Sequence, residues 1–261
     1  QILTDRSLAK RLRGQPGRES LSDQELMERV VAKLKPWDRG IFQYAKGKYL
    51  PLNKWKGVKR DKAQNIISID WENLFTGGGE LDFRWLPSTI KTLDAERCEL
   101  RGGLSLVDFP DGLEYLSLSH NKLSGELNLN HVPPSLGSLF LNENAFCGSL
   151  DMQKLPESLN FLELGGNFFE GPLDLRCLSR GLLRLDLGGN KLTKGIYLSQ
   201  TSDSPIAVNL TGNPIDEKDL VKNCADPSAR VEVSESGHRV LRVGEKEGVK
   251  ALATLGKLRS G

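Results

Sequence analysis

The chain has 261 residues, 38% of them hydrophobic and 27% charged, with 36 Lys/Arg against 34 Asp/Glu. That apolar content can bury a continuous core, and no apolar run approaches the roughly 18 residues a membrane-spanning helix needs, so a soluble protein is expected. The net charge of +2 hides an asymmetry: residues 1–62 hold 16 Lys/Arg against 7 Asp/Glu, and the remainder holds 20 against 27.

The basic head opens with Arg6, Lys10, Arg11, Arg13 and Arg18 around Gly14 and Pro16-Gly17, a composition that gains order only when a partner holds it. A helix is expected over residues 22–35. Ser22 is its N-cap, Glu25 completes a capping box, Leu21 and Leu26 are placed as a hydrophobic staple, and Pro36 stops the run. Leu26, Met27, Val30, Val31 and Leu34 form one apolar stripe, which either caps the core or receives a partner. Beyond it, Trp37, Phe42, Tyr44, Tyr49 and Trp55 alternate with basic residues as far as Lys62. Two readings stand for this stretch. In one, the aromatics close the end of the core while the lysines keep it solvated. In the other, Arg11, Arg13, Lys46, Lys48, Lys54, Lys56, Lys59 and Arg60 contact RNA or an acidic partner.

From about residue 63 to 216 one pattern recurs at a fixed 23-residue step: Leu-x-x-Leu-x-Leu-x-x-Asn-x-Leu-x-Gly-x-Leu-x-Leu. Its first position falls at Ile90, Leu113, Leu136, Leu159, Leu182 and Pro205, and its Asn position at Cys98, Asn121, Asn144, Asn167, Asn190 and Asn213. Ile66, Ile69 and Trp71 read as a degenerate first copy with one extra residue, which makes about seven rungs. Equal steps without insertion mean one supersecondary unit stacked repeatedly, because a single copy cannot bury its apolar side alone. Within each copy Leu-x-Leu alternates as a short strand does, and the Asn amide suits the bend that follows. Gly125-Glu-Leu127-Asn-Leu129 and its equivalents suggest a second short strand, and Val132-Pro133 or Leu155-Pro156 returns the chain.

These residues resemble the leucine-rich repeat family over roughly Ile66 to Ile215. The 23-residue step is similar to repeats of protist proteins of the kinetoplastid and euglenid kind, and more distantly to the 24-residue repeats of plant receptors. The resemblance implies an α/β-type solenoid with short parallel strands on a concave face, loops and short second strands on a convex face, and a helical N-terminal extension. Residues 217–261 are expected to cap it, with a hairpin over 230–243 and a helix over 248–259.

The four cysteines, Cys98, Cys147, Cys177 and Cys224, lack the paired spacing of metal sites or disulfide caps, which favours a reducing compartment. The start at Gln1 would be explained by a cleaved organellar presequence, and the mitochondrial matrix is favoured over the cytoplasm. None of the three histidines joins a Cys, Ser or Asp in a catalytic constellation, and no phosphate loop, dinucleotide fingerprint or metal motif is present. No enzyme, cofactor, metal site or self-association is expected. Asp82, Asn128, Asp151 and Asp174 share one repeat column and read as a solvated edge.

If the Leu-x-Leu strands form the inner wall, the residues between the leucines make exposed columns. Large aromatics there have no folding duty, so either the chain's own head or tail covers the rings or Tyr115, Phe140 and Phe161, with Asp94, Glu163, Asp186 and Arg184 nearby, are the candidate partner-binding residues. The expected function is a non-catalytic protein–protein interaction scaffold, a structural subunit of a larger organellar complex. An RNA-contacting subunit of a ribonucleoprotein such as a mitochondrial ribosome is one alternative. A regulatory adaptor or receptor recognition module is another.

Overall fold

The computed structural model describes residues 18–175, 178–198, 206–215, 230–233 and 239–243. In chain order its strands are β1 (Gln43–Ala45), β2 (Lys48–Tyr49), β3 (Val58–Arg60), β4 (Ile66–Asp70), β5 (Thr92–Asp94), β6 (Arg101–Gly102) and β7 (Tyr115–Ser117). They continue with β8 (Lys122–Glu126), β9 (Ser138–Phe140), β10 (Ala145–Gly148), β11 (Phe161–Glu163), β12 (Phe168–Leu175) and β13 (Arg184–Asp186). The last are β14 (Lys191–Leu198), β15 (Ile206–Asn209), β16 (Arg230–Val233) and β17 (Arg239–Val243).

The strands form two sheets along the stack. A ten-stranded sheet has the order β16-β17-β15-β13-β11-β9-β7-β5-β4-β3, and a five-stranded sheet the order β14-β12-β10-β8-β6. In the larger sheet β4, β5, β7, β9, β11, β13 and β15 run parallel, one per rung, and antiparallel strands close both ends. Thr92, Tyr115, Ser138, Phe161, Arg184 and Ala207 stand side by side, as the repeat columns require. Ser68 pairs with Thr92, so the first step is one residue longer than the rest.

Alternation decides which side is core. Leu93, Leu116, Leu139, Leu162 and Leu185 are fully buried, while their strand neighbours point to the opposite, open face. Each such leucine contributes about 2 kcal/mol on burial. The second apolar column contains Phe146 and Phe169, stacked at 6.3 Å between centroids.

The Asn column ties each rung to the one before it. Asn167 Nδ2 donates to the carbonyls of Leu164 and Leu141, both at 3.0 Å, and its Oδ1 accepts from Phe146 N at 3.0 Å. Asn121, Asn144, Asn190 and Asn213 repeat that pattern at the same offsets. Cys98 takes the place of Asn in the first regular rung, buried, with its thiol donating to Trp71 O at 2.9 Å. Burial pushes that thiol up to about 11.

Two expectations shift position. The second strand starts directly after the Asn in β8, β10, β12 and β14; β8 and β10 end at Glu126 and Gly148, and only β12 and β14 extend on through the apolar positions where the strand is expected. The bond from Leu123 N to Asn144 Oδ1 holds the chain there, whereas Leu129–His131 tightens into a 3₁₀ turn with Asn128 Oδ1 accepting from Asn130 N. The helix expected over 22–35 is α-helical only over α1 (Asp23–Val31). Its capping box is formed, but Leu34 leaves the helix to bridge Gly79, consistent with the bar on helical backbone before Pro36. The predicted stripe is buried against the first rung, where Val30 O accepts from Asp82 N at 2.9 Å.

The head completes the closed end. Phe42 stacks on Trp55 at 4.4 Å and meets Trp71 at 5.3 Å and Phe75 at 6.0 Å. Buried Asp38 accepts from Thr76 N and Gly77 N, fixing the Gly77-Gly78-Gly79 turn. The antiparallel β16–β17 pair lies beyond β15, and the helix expected over 248–259 lies outside the described residues.

Replacing Asn167 by Ala leaves Phe146 N–H unpaired in the core and takes one of two side-chain bonds from the Leu141 and Leu164 carbonyls, which keep those from Asn144 and Asn190, so it should cost about 2 kcal/mol or more. The exposed Lys122→Ala control should cost about 0.5 kcal/mol or less. Urea unfolding of both variants checks the difference.

Candidate partner-binding surface

The open face of the larger sheet is the surface that the fold leaves free of leucines. Tyr115 and Phe140 project from β7 and β9, half-buried, with ring centroids 5.5 Å apart and planes at 59°. Phe161 lies one strand further on, beside Ser138 and Arg184 in register. The rings therefore form a pair and a neighbour, not a single cluster.

Glu163 and Asp186 are held by one cation. Arg184 Nε lies 3.4 Å from Glu163, and another of its nitrogens lies 3.7 Å from Asp186. Asp186 also accepts from Gly188 N at 2.9 Å and from Asn209 Nδ2 at 3.0 Å.

Asp94 has a different environment. Its carboxylate accepts from Glu96 N at 3.0 Å and lies 3.5 Å from the Tyr115 hydroxyl, with no ion pair among the described residues. Burial raises its pKa above the ordinary aspartate value. The backbone N–H of Glu96 works against that rise, and the charges of Glu96, Glu72 and Asp70 add to it. Arg97 pairs with Glu72 at 3.4 Å and with Glu96, beyond Asp94. Sequence columns spaced by 23 miss Asp70, because the extra residue in the first rung moves it out of step although it pairs in register with Asp94. They also give no sign that Ser117, beside Asp94 on β7, is 1% exposed with an Oγ that has no hydrogen-bond partner.

The basic candidates sit apart from this face. Lys46, Lys48, Lys54, Lys56 and Lys59 are exposed, Arg60 is half-buried, and Arg11 and Arg13 lie outside the described residues. Lys59 projects from the terminal strand β3, where a lysine keeps an open sheet edge from pairing with another chain. Phe42 and Trp55 are buried at the closed end, whereas Trp37 and Tyr44 are exposed.

Two acids of the column shared by Asp82, Asn128, Asp151 and Asp174 are satisfied within the chain. Asp82 is bound by Arg84 at 2.7 and 2.8 Å and by Lys33 at 3.4 Å, which holds its carboxyl below the usual range. Asp151 accepts from Gln153 N and Asn130 Nδ2. Among the described residues no three His, Cys, Asp or Glu side chains converge as metal ligands, and no helix is long and apolar enough to cross a membrane.

Similar architectures occur among solved structures. A pollen receptor kinase 3 matches with a TM-score of 0.58 at 23% identity, covering 82% of this chain and 100% of that one. Together with the parallel rungs and their Asn ladder, that likeness decides the architecture. The fold is a leucine-rich-repeat solenoid. A plant ice-binding protein is also similar, at a TM-score of 0.49 and 20% identity, over 74% of this chain and 71% of that one. So is the leucine-rich-repeat ectodomain of the Arabidopsis receptor kinase HAESA, solved with an N-terminally extended IDA peptide hormone, at 0.48 and 19%, over 74% and 41%. No protein-family model and no curated protein matches this leucine-rich-repeat chain.

The Asp94 environment carries a stability consequence. Its raised folded pKa means that the folded state holds the proton more tightly than the unfolded chain does. The associated stability is present at acid pH and is lost as pH rises from the unfolded value through the folded one. Asp94→Asn should therefore be at least as stable as the parent at neutral pH, with the gain disappearing in acid. Thermal unfolding across that range tests it, and a variant destabilised at neutral pH would contradict it.

Proposed function

We propose that this protein is a non-catalytic protein-interaction module whose open sheet face receives an extended segment of a partner. The observation that carries this reading is the Tyr115–Phe140 ring pair, with Phe161 beside it, left on a face whose other side already holds the core. Aromatic rings with these properties are the usual anchors of protein interfaces. The scaffold is bonded from rung to rung before any partner arrives, so little ordering free energy is spent on association.

Within this reading the chain is a structural subunit of a larger assembly, and the mitochondrial matrix is its proposed location. The charge asymmetry supports two separate contact surfaces, the open face and the basic head. The unbroken 23-residue step supports grouping the repeat with the protist type. RNA contact through the head is a second reading, favoured by exposed Lys46, Lys48, Lys54 and Lys56 near exposed Tyr44 and Trp37. Burial of Phe42 and Trp55 leaves that reading fewer rings for base stacking.

Affinity purification of the parent and of Tyr115→Ala/Phe140→Ala/Phe161→Ala, with and without nuclease, tests the proposal. The parent should retain protein partners after nuclease, and the triple variant should lose them while unfolding at a similar temperature. Unchanged retention by a folded triple variant would refute docking at this face, and loss on nuclease would move the function to RNA.

A further inference from the structure

We infer that Asp94, Ser117, Tyr115 and Phe140 form a subsite for a single arginine side chain of the partner. This rests on the interaction-module reading above and adds the chemistry of the anchoring residue.

Asp94 is a half-buried carboxylate facing the field of Asp70, Glu72 and Glu96, and among the described residues no cation pairs with it. Further along the face, Glu163 and Asp186 share Arg184. Ser117, the lateral neighbour of Asp94, is 99% withdrawn from solvent (1% exposed), and its Oγ has no hydrogen-bond partner. A buried hydroxyl without a partner is uncommon and costs free energy. Its strand places it on the open face with Tyr115, two residues earlier. The next strand adds Phe140, in register with Ser117. Adjacent strands lie about 4.8 Å apart, so carboxylate, hydroxyl and ring follow one another across less than ~10 Å.

A guanidinium satisfies each of these groups. It donates to the carboxylate through a charge-assisted fork and to a hydroxyl oxygen beside it, and its plane stacks on aromatic faces. An ammonium matches the charge without the planar contact. A neutral anchor leaves Asp94 unpaired. The lack of three converging His, Cys, Asp or Glu ligands among the described residues argues against a metal ion as the occupant.

The test is an NMR titration of the full chain with N-acetyl-arginine methylamide, its citrulline analogue and its lysine analogue. Citrulline keeps the shape of arginine and removes its charge. Arginine should give saturable shifts at Asp94, Tyr115 and Ser117, lysine weaker ones, and citrulline binding should be at least about tenfold weaker. Asp94→Asn, which should remain folded, should abolish the preference for arginine over citrulline, and Ser117→Ala should reduce it. Absence of shifts, equal binding of citrulline, or a preference that survives Asp94→Asn would overturn the assignment. Failure here with partner loss in the triple aromatic variant would leave the docking face standing with a different anchor. Arginine binding with partner retention in that variant would reject the docking face and keep the subsite.

Discussion

The hydrogen bonds of one side-chain column hold the stack together. Each Asn amide accepts from an N–H of the preceding rung and donates to carbonyls of both rungs, at the bend between the two sheets, beside backbone bonds such as Glu143 N to Gly165 O at 2.8 Å. The leucines supply more free energy in total, but apolar burial is non-directional and would tolerate slippage between rungs. The amides do not. They fix one stacking register, and with it the lateral neighbours of every residue on the open face.

The face inherits its character from that register. Because Thr92, Tyr115, Ser138, Phe161, Arg184 and Ala207 must stand side by side, a single substitution in one rung is felt by its two lateral neighbours and little further. Arg184 therefore quiets Glu163 and Asp186 and cannot serve Asp94, four strands away. At the other end of the row, burial and acidic neighbours make the ionised form of Asp94 costly in the folded chain. A strained carboxylate beside two half-buried rings and an unpartnered hydroxyl is the kind of compromise that folding alone does not require.

Most of the fold is legible in the sequence because the repeat step and the strand period are both regular. Columns spaced by 23 place every residue of the open face from Thr92 to Asn209 beside its observed neighbour, and Ser22 with Glu25 marks the start of α1. The places where the reading falls short have separate physical causes. The extra residue before β5 hides Asp70 from the columns. The end of α1 depends on Leu34 bridging Gly79, a contact between segments far apart in sequence. The second strand sits where a neighbouring rung's Asn holds it, so its own glycine and leucine spacing misplaces it. The site is less legible than the fold. The strand register sets the seven candidate residues along one face. However, which carboxylate is paired and which ring meets which depend on side-chain geometry that no spacing encodes.

Amide hydrogen exchange at Leu123, Phe146, Phe169 and Leu192, the donors to the Asn column, tests the central claim most directly. If the ladder holds the stack, these amides exchange at the slowest rates in the chain and together, through global unfolding, and Asn167→Ala speeds exchange at Phe146 and its neighbours. Fast, independent exchange at these positions in a protein that remains folded would show that the leucines alone set the register.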